Sequence, residues 1–431
     1  MLSSAIAFES DYTPRVDYTD FARAITADGL ITDPWIDGAP RFREEPIVLD
    51  APRWRAMREA AEDVAGVYDE MCQLAGDDPS ALERFFAMTP LQRAMWACSQ
   101  PLWHGIARAD LFFTEDGISI AELNCDTPTG EAEAVVLGRI AREGCERGLR
   151  DPNEHLEAAF GAMVDATCAR ALDRAPDKTA MTCGIIYPTE FTEDLSVIRL
   201  YKRWMEACGF RVVLGSPFNL TLSNDDALEL FDERIDVMIR HYKTDWWGER
   251  VSAWDDEDLA DQEPLSGPLG AALECAIDRR LVVVNPFGAV LPQNKRAMAF
   301  MWEHIHRFTP RAQSIIEKYV PVTSRAETIH QEQLRAQREQ WVLKSDYGAE
   351  GEEVVVGKFT DEATWQASID HARKGHWVAQ RFFEARANEA GEITNFGVYV
   401  VAGRAAGIYA RVQRGATDAS ALSVPVLVRA P

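Results

Sequence analysis

Apolar residues recur every three or four positions through RWRAMREAAEDVAGVYDEMCQLAG (53–76), the spacing of a helix with one buried face. The same spacing predicts two further helices between 80 and 100, and amphipathic helices in EAEAVVLGRIAREGCERGL (131–149) and NEHLEAAFGAMVDATCARALDRA (153–175). From 183 the pattern changes. The short β-rich runs CGIIY, RVVLG, DVMIRHY and LVVVN are separated by the helical stretches EDLSVIRLYKRWMEACG, DDALELFD and PLGAALECAID. That alternation predicts a mostly parallel sheet with crossover helices. The acidic stretch 248–268 reads as a loop. In the last third, NKRAMAFMWEHIHRF reads as a helix and AETIHQEQLRAQREQ as a charged, solvated one. QWVLKSDYGAEGEEVVVGKF, HWVAQRFF and FGVYVVAGRAAGIYARV read as antiparallel strands with glycine-bearing turns. The expectation is an α/β (α+β) chain in four parts: a mainly helical region 1–105, a hairpin with its helices 106–175, an α/β unit 176–292 and a strand-rich part 293–431.

IARADLFFTEDGISIAELNCDTPTG (106–130) breaks the expected pattern of a buried hairpin. With a turn at Glu115-Asp116-Gly117, Thr114 faces Ile118, Asp110 faces Glu122, and Arg108 faces Asn124. Side chains alternate along strands, so these four polar groups share one face. Ala107, Ala109, Leu111, Phe113, Ala121, Leu123 and Cys125 take the other. Opposed carboxylates repel unless a cation lies between them. Two carboxylates and an amide oxygen suit magnesium with a substrate phosphate. A solvated face carrying a salt-bridge set is the alternative.

Composition adds limits. The chain has 431 residues, 47% hydrophobic and 26% charged, as expected of a soluble globular protein. It has no apolar run long enough for a bilayer, so no membrane role is expected. Its N-terminus makes a poor signal peptide. Its eight cysteines show no CxxC or metal spacing. A cytoplasmic protein with reduced thiols follows as the expectation. The net charge of −24 argues against a nucleic-acid partner. Such a field would attract a cationic substrate, although an acidic surface also serves solubility.

VLKSDYGAEGEEVVVG puts Lys344 at a strand end before a loop with Gly348 and Gly351. Backbone amides in such a loop approach phosphates, and lysine supplies a charge. An ordinary β-hairpin would carry the same residues. Lys295 opens the helix after PQN.

In order, these segments resemble the glutathionylspermidine synthase family of ATP-dependent ligases. RADLFFTEDGISIAELNCDTPTGEAEA is similar to its Arg-x-Asp and Glu-x-Asn-x-Asp-Thr-Pro-Thr block. NKRAMAFMW and LKSDYGAEGEEV are similar to its nucleotide lysine segments, and AGIYAR to its C-terminal arginine segment. The resemblance implies an ATP-grasp fold with ATP and Mg2+ as cofactors. Asp110, Glu122 and Asn124 would hold the metal. Arg108 and Arg411 would be catalytic, stabilising the transferring phosphoryl group and the oxyanion. Lys295, Lys344 and Gly351 would meet the ATP phosphates. Ala379, Gln380, Arg381 and Phe382 would run past the adenine. Thr127 and Thr129 would contact the acyl substrate, and Glu193 and Asp194 a polyamine, although FTEDLSVIRLY also suits a helix N-cap there.

The implied activity is amide formation between a small-molecule acid and an amine, glutathione and spermidine by default, through an acyl phosphate. The chain departs from the family pattern at Ala349, at Lys344-Ser345 and in HYKTDWWGE, and the amidase domain of some members is not expected. Another acid–amine pair is therefore the alternative, and a non-catalytic nucleotide-binding scaffold the more remote one.

Overall fold

The computed structural model describes residues 17–99, 105–145, 148–172, 177–190, 194–249, 265–348, 354–415 and 420–429. Glu193, Ala349 and Gly351 lie outside these residues, as does the stretch 250–264 of the acidic loop. No helix among the described residues is long and apolar enough to cross a membrane.

A five-stranded antiparallel sheet forms the centre, in the order Leu422–Ser423, Arg404–Gln413, Ile393–Val401, Ile106–Phe113, Ile118–Asn124. The hairpin at 106–124 thus joins strands almost 300 residues further along the chain, with Val398 opposite Ala109 and Gly397 opposite Asp110. The apolar face of this sheet carries Ala107, Ala109, Leu111, Leu123, Val398 and Ile408, all buried. The long helix Ala51–Gly76 lies on it through Met57, Val64 and Met71, which are fully buried. Asp50 caps that helix by accepting from the Arg53 N–H (2.7 Å), and Pro52 fits its first turn. Burying each such large side chain is worth about 1.5–3 kcal/mol. The apolar stripe of 53–76 is therefore the cover of the central sheet.

The α/β unit has its parallel sheet in the order Val282–Val284, Val237–Arg240, Thr182–Ile186, Arg211–Gly215. All four β-runs read from the sequence are in it. DDALELFD is not a helix. Leu228–Leu230 is a strand of a small antiparallel sheet with Leu220–Leu222 and Glu233–Arg234. Its alternating Leu-Glu-Leu buries both leucines, and Asp226, Phe231 and Asp232 turn the chain with positive φ.

A third sheet runs Thr323–Arg325, Trp377–Arg381, Trp341–Ser345, Val354–Val356, antiparallel throughout. Helix Glu362–Ala372 seals one face through Trp365, Ile369 and Ala372, packed with Trp341, Leu343 and Ala379. The charged helix expected at 326–340 is shorter, Gln331–Ala336, between two 3-10 turns. In it Leu334 alone is fully buried, so little apolar burial rewards further helical turns.

Candidate active site

The polar pairs of the central hairpin hold: Arg108 faces Asn124 and Asp110 faces Glu122. The turn does not. Phe113, not Thr114, faces Ile118, so the connection spans four residues, closed by the Thr114 N–H donating to the Gly117 carbonyl (2.7 Å). A bulge at Ala121 then adds one residue to the return strand, and the two departures cancel. The bulge also has a use. The Ala121 carbonyl accepts from Lys344 Nζ (3.2 Å) and from Gln380 Nε2 (3.5 Å), so it meets both residues of the neighbouring sheet.

A cleft lies between the two sheets. Glu122, Lys295, Lys344 and Gln380 line it, with Tyr68 from the long N-terminal helix and Gln293. Lys295 Nζ is 3.7 Å from Glu122 Oε2 and donates to the Gly348 carbonyl (2.5 Å). Burial by itself would raise the Glu122 pKa, but Lys295 and Lys344 outweigh it and hold the carboxyl down to about 2. Burial pulls Lys344 down to about 8 against the attraction of Glu122. Two ammonium groups thus share one carboxylate, which leaves positive charge for a phosphate.

Arg108 grips Asp110 with two hydrogen bonds, Nε to Oδ1 (2.6 Å) and Nη2 to Oδ2 (2.9 Å). Its stem crosses Gly397, where an added Cβ would come within 2.5 Å of Arg108 Cδ. Its remaining Nη1 donates to the Thr129 carbonyl (2.9 Å), which also accepts from Tyr399 Oη (3.0 Å). Across the sheet, Tyr409, Gly397, Asp110 and Glu122 form one row. Arg411, two residues beyond Tyr409 and half-buried, is on the same face. Asn124 Nδ2 donates to Glu122 Oε1 (3.1 Å), which leaves its Oδ1 as a donor atom for a cation. Two opposed carboxylates and one amide oxygen match the small protein ligand set that magnesium takes beside phosphates and water.

The expected adenine strand divides by alternation. Gln380 faces the cleft, hydrogen-bonded to Thr323 Oγ1 (3.1 Å). Ala379 belongs to the core behind it, and Arg381 turns away to stack over Trp341 (4.0 Å) and reach Gln340 Oε1 (2.7 Å). Phe382 donates its N–H to the Gln340 carbonyl (2.9 Å). On the other side of the hairpin, Thr127 and Thr129 are half-buried in the turn that follows it. Asp194 stands apart from the cleft, at the start of helix Leu195–Ala207, and makes no side-chain cap. Its Oδ2 lies 3.2 Å from His241 Nε2. Burial would raise the Asp194 carboxyl, but His241 pulls it below its ordinary value.

Tyr68, Gln293 and Asp126 escape a reading by motif. Tyr68 sits on a helix whose periodicity marks it as core. Gln293 Oε1 accepts from the Cys125 (2.9 Å) and Asp126 (3.0 Å) N–H groups and so ties down the end of the hairpin. Asp126, inside the quoted block, is buried against Arg240 and Thr244 and belongs to the framework.

The family model described as glutathionylspermidine synthase preATP-grasp matches residues 36–429. No curated protein matches the sequence. Among solved structures, a glutathione synthetase-like effector from Globodera pallida is similar over 95% of this chain and 95% of its own, at 10% identity and a TM-score of 0.57, and shares the fold. A protein described as a gamma-glutamylcysteine synthetase from Methylobacillus flagellatus matches 80% of this chain and 84% of its own at 13% identity, with a TM-score of 0.43. A RimK-domain ATP-grasp protein from Sphaerobacter thermophilus matches 57% and 90% at 17% identity, with a TM-score of 0.30. The last two are too distant in shape to add to the argument.

Proposed function

The chain belongs to the glutathionylspermidine synthase family of ATP-grasp carboxylate–amine ligases, and from that premise we propose that it joins glutathione to spermidine. The product would be an amide, made through an acyl phosphate with release of ADP. One observation carries the reading: Lys295 and Lys344 flank Glu122 in a cleft, and Glu122 pairs across the hairpin with Asp110, which Arg108 holds.

In the first step the substrate carboxylate attacks the γ-phosphate of ATP, a transfer governed by positioning and charge neutralisation. Lys295 and Lys344 would hold the phosphates, exchanging backbone carbonyls for them. Magnesium, when bound at Asp110, Glu122 and Asn124, would supply charge that offsets the phosphates. Arg108 is fixed by Asp110 and the Thr129 carbonyl, so it would face the developing charge without reorganising. Arg411, on the same face, would assist with the oxyanion of the second step, in which the amine attacks the acyl carbon and phosphate departs. Thr127 and Thr129 would meet the acyl substrate, Asp194 a distal ammonium of the amine, and Gln380 the nucleotide.

A different acid–amine pair is the second reading. Lys243 favours it, since this cation in HYKTDWWGE reaches the Tyr347 carbonyl (3.2 Å) beside the nucleotide loop. ADP release with Mg-ATP, glutathione and spermidine together, followed by a panel of acids and amines with mass spectrometry of products, tests both. Release that needs both default substrates supports the first reading. Release with another pair moves the proposal to that pair, and no nucleotide turnover under any condition refutes the ligase.

A further inference from the structure

Glu131 opens the helix Glu131–Gly144 and is fully buried. Its Oε1 accepts from Tyr201 Oη (3.1 Å), while its Oε2 has no hydrogen-bond partner. Leaving a buried polar atom unpaired costs about 1–3 kcal/mol, so it calls for a partner that arrives from outside the chain. A second orphan lies nearby. His241 is 3% exposed, its ring 6.1 Å from that of Tyr201, and its Nε2 also lacks a hydrogen-bond partner although Asp194 stands beside it.

These groups form a line. It starts at the part-exposed Asp194, passes His241 and Tyr201, and ends at Glu131. From there the turn leads back to Arg108. Gly130, with φ of 90°, lets the backbone pass so close to Tyr399 and Tyr409 that a Cβ would sit 2.8 Å from the Tyr409 ring. Thr129, one residue earlier, is the one whose carbonyl Arg108 and Tyr399 hold. Phosphate and metal chemistry uses neither orphan.

We infer that Glu131 is the proton acceptor for the attacking amine, with the substrate's ammonium group passing Asp194 and ending against Glu131 Oε2. The inference rests on the ligase reading and adds a catalytic residue to it. An ammonium ion has no lone pair with which to attack. One proton passes from its nitrogen to Glu131 Oε2. The nitrogen then forms the C–N bond to the acyl carbon, the C–O bond to phosphate breaks, and the second surplus proton leaves with the phosphate. Glu131 later returns its proton to solvent.

The surroundings suit this exchange. Burial pushes the Glu131 carboxyl up to about 8, reinforced by Glu133 on the same helix. Its own backbone N–H, Arg108 from the hairpin and Tyr201 from helix Leu195–Ala207 act in the opposite sense. Tyr399, from the strand Ile393–Val401, faces it as a neutral phenol. A base poised near neutral pH is effective in proton transfer.

The test compares two amines on the full chain with Mg-ATP and glutathione. Hydroxylamine is uncharged at neutral pH and needs no proton removed before attack, whereas spermidine does. Glu131→Gln should cut the spermidine-dependent kcat roughly 100-fold or more, the span of general-base catalysis, while hydroxamate formation with hydroxylamine falls far less. Equal losses with both amines, or an unchanged rate with spermidine, would overturn the assignment. Should Glu131→Gln fail to fold, Tyr201→Phe is the second variant. By removing the donor to Oε1 it should shift the pH profile with spermidine to higher pH and leave that with hydroxylamine in place; an unmoved spermidine profile counts against the inference. A wild-type chain that turns over no acid–amine pair refutes the ligase reading instead. Spermidine binding by equilibrium dialysis then decides on Glu131: weakening by Glu131→Gln supports the ammonium contact, and equal binding overturns it.

Discussion

Asp126→Ala should be among the most damaging single substitutions in the chain. Asp126 is 1% exposed, and its Oδ1 meets Arg240 Nη2 in a fully buried ion pair. Its Oδ2 accepts from the Thr244 N–H (2.8 Å) and hydroxyl (3.0 Å). Arg240 in turn donates to the Asn285 (2.9 Å) and Tyr242 (2.6 Å) carbonyls, so the guanidinium cannot swing out to water without breaking both. Removing the carboxylate leaves a buried cation uncompensated, a loss of about 3–5 kcal/mol. It also orphans the two Thr244 donors, which adds about 1 kcal/mol or more. The expected destabilisation is about 4–6 kcal/mol, measured by urea unfolding with circular dichroism and tryptophan fluorescence as paired probes, since coincident transitions are needed to read a free energy. Asp126→Leu with Arg240→Met should recover part of that loss, since it removes the uncompensated cation while the Thr244 donors stay unpaired and the Asn285 and Tyr242 carbonyls lose the donor that Arg240 gave them. A loss below about 1 kcal/mol for Asp126→Ala, or strict additivity in the cycle, would refute this reasoning.

Glu122→Ala should abolish ATP turnover with the circular dichroism spectrum unchanged; full activity would remove Glu122 from the proposed metal set. Lys344→Met should weaken ATP binding by roughly 10- to 100-fold, the worth of one charge-assisted hydrogen bond, as read by isothermal titration; affinity equal to wild type would place the phosphates elsewhere. Gly397→Ala would put a methyl 2.5 Å from Arg108 Cδ and displace the guanidinium from Asp110. Turnover should fall roughly 100-fold with the fold retained, since displacing a catalytic group by about 1 Å costs that much, whereas Gly267→Ala, in open space, should change nothing. Glu392 is held down to about 2, chiefly by its hydrogen bonds from Arg43. Its folded pKa lies below the unfolded one, so its contribution is complete above about pH 4.3 and is lost as pH falls toward the folded value. With allowance for screening that is about 1–2 kcal/mol, and Glu392→Gln should flatten the acid limb of a stability–pH curve by that amount.

The sequence by itself determined the local facts of this molecule. Alternation in strands was enough to put Arg108 with Asp110, and Glu122 with Asn124, on one face, because side-chain direction repeats every two residues. The pairing of Arg108 with Asn124 and Asp110 with Glu122 came out as expected only because the longer turn and the bulge offset each other. Four β-runs were enough for the parallel sheet, although one of the stretches between them, DDALELFD, is not helical. The period of 53–76 marked a buried helix face, though not that the central sheet lies beneath it or that Tyr68 emerges in the cleft beside Glu122 and the two lysines. Tertiary structure decided everything that depends on a partner distant in the chain. DDALELFD reads as a helix on its own, and the strand beside Leu228–Leu230 makes it a strand instead. The expected adenine strand pairs with Trp341–Ser345 in a register that sends Gln380 to the cleft and Ala379 to the core. The bulge at Ala121 has no signature in its own residues, since an alanine suits either register there. It becomes visible when Lys344 and Gln380, more than 200 positions away, come to rest on the carbonyl it exposes. Periodicity reports how a segment faces its own axis; which surfaces meet is set by burial and hydrogen-bond satisfaction summed over the whole chain.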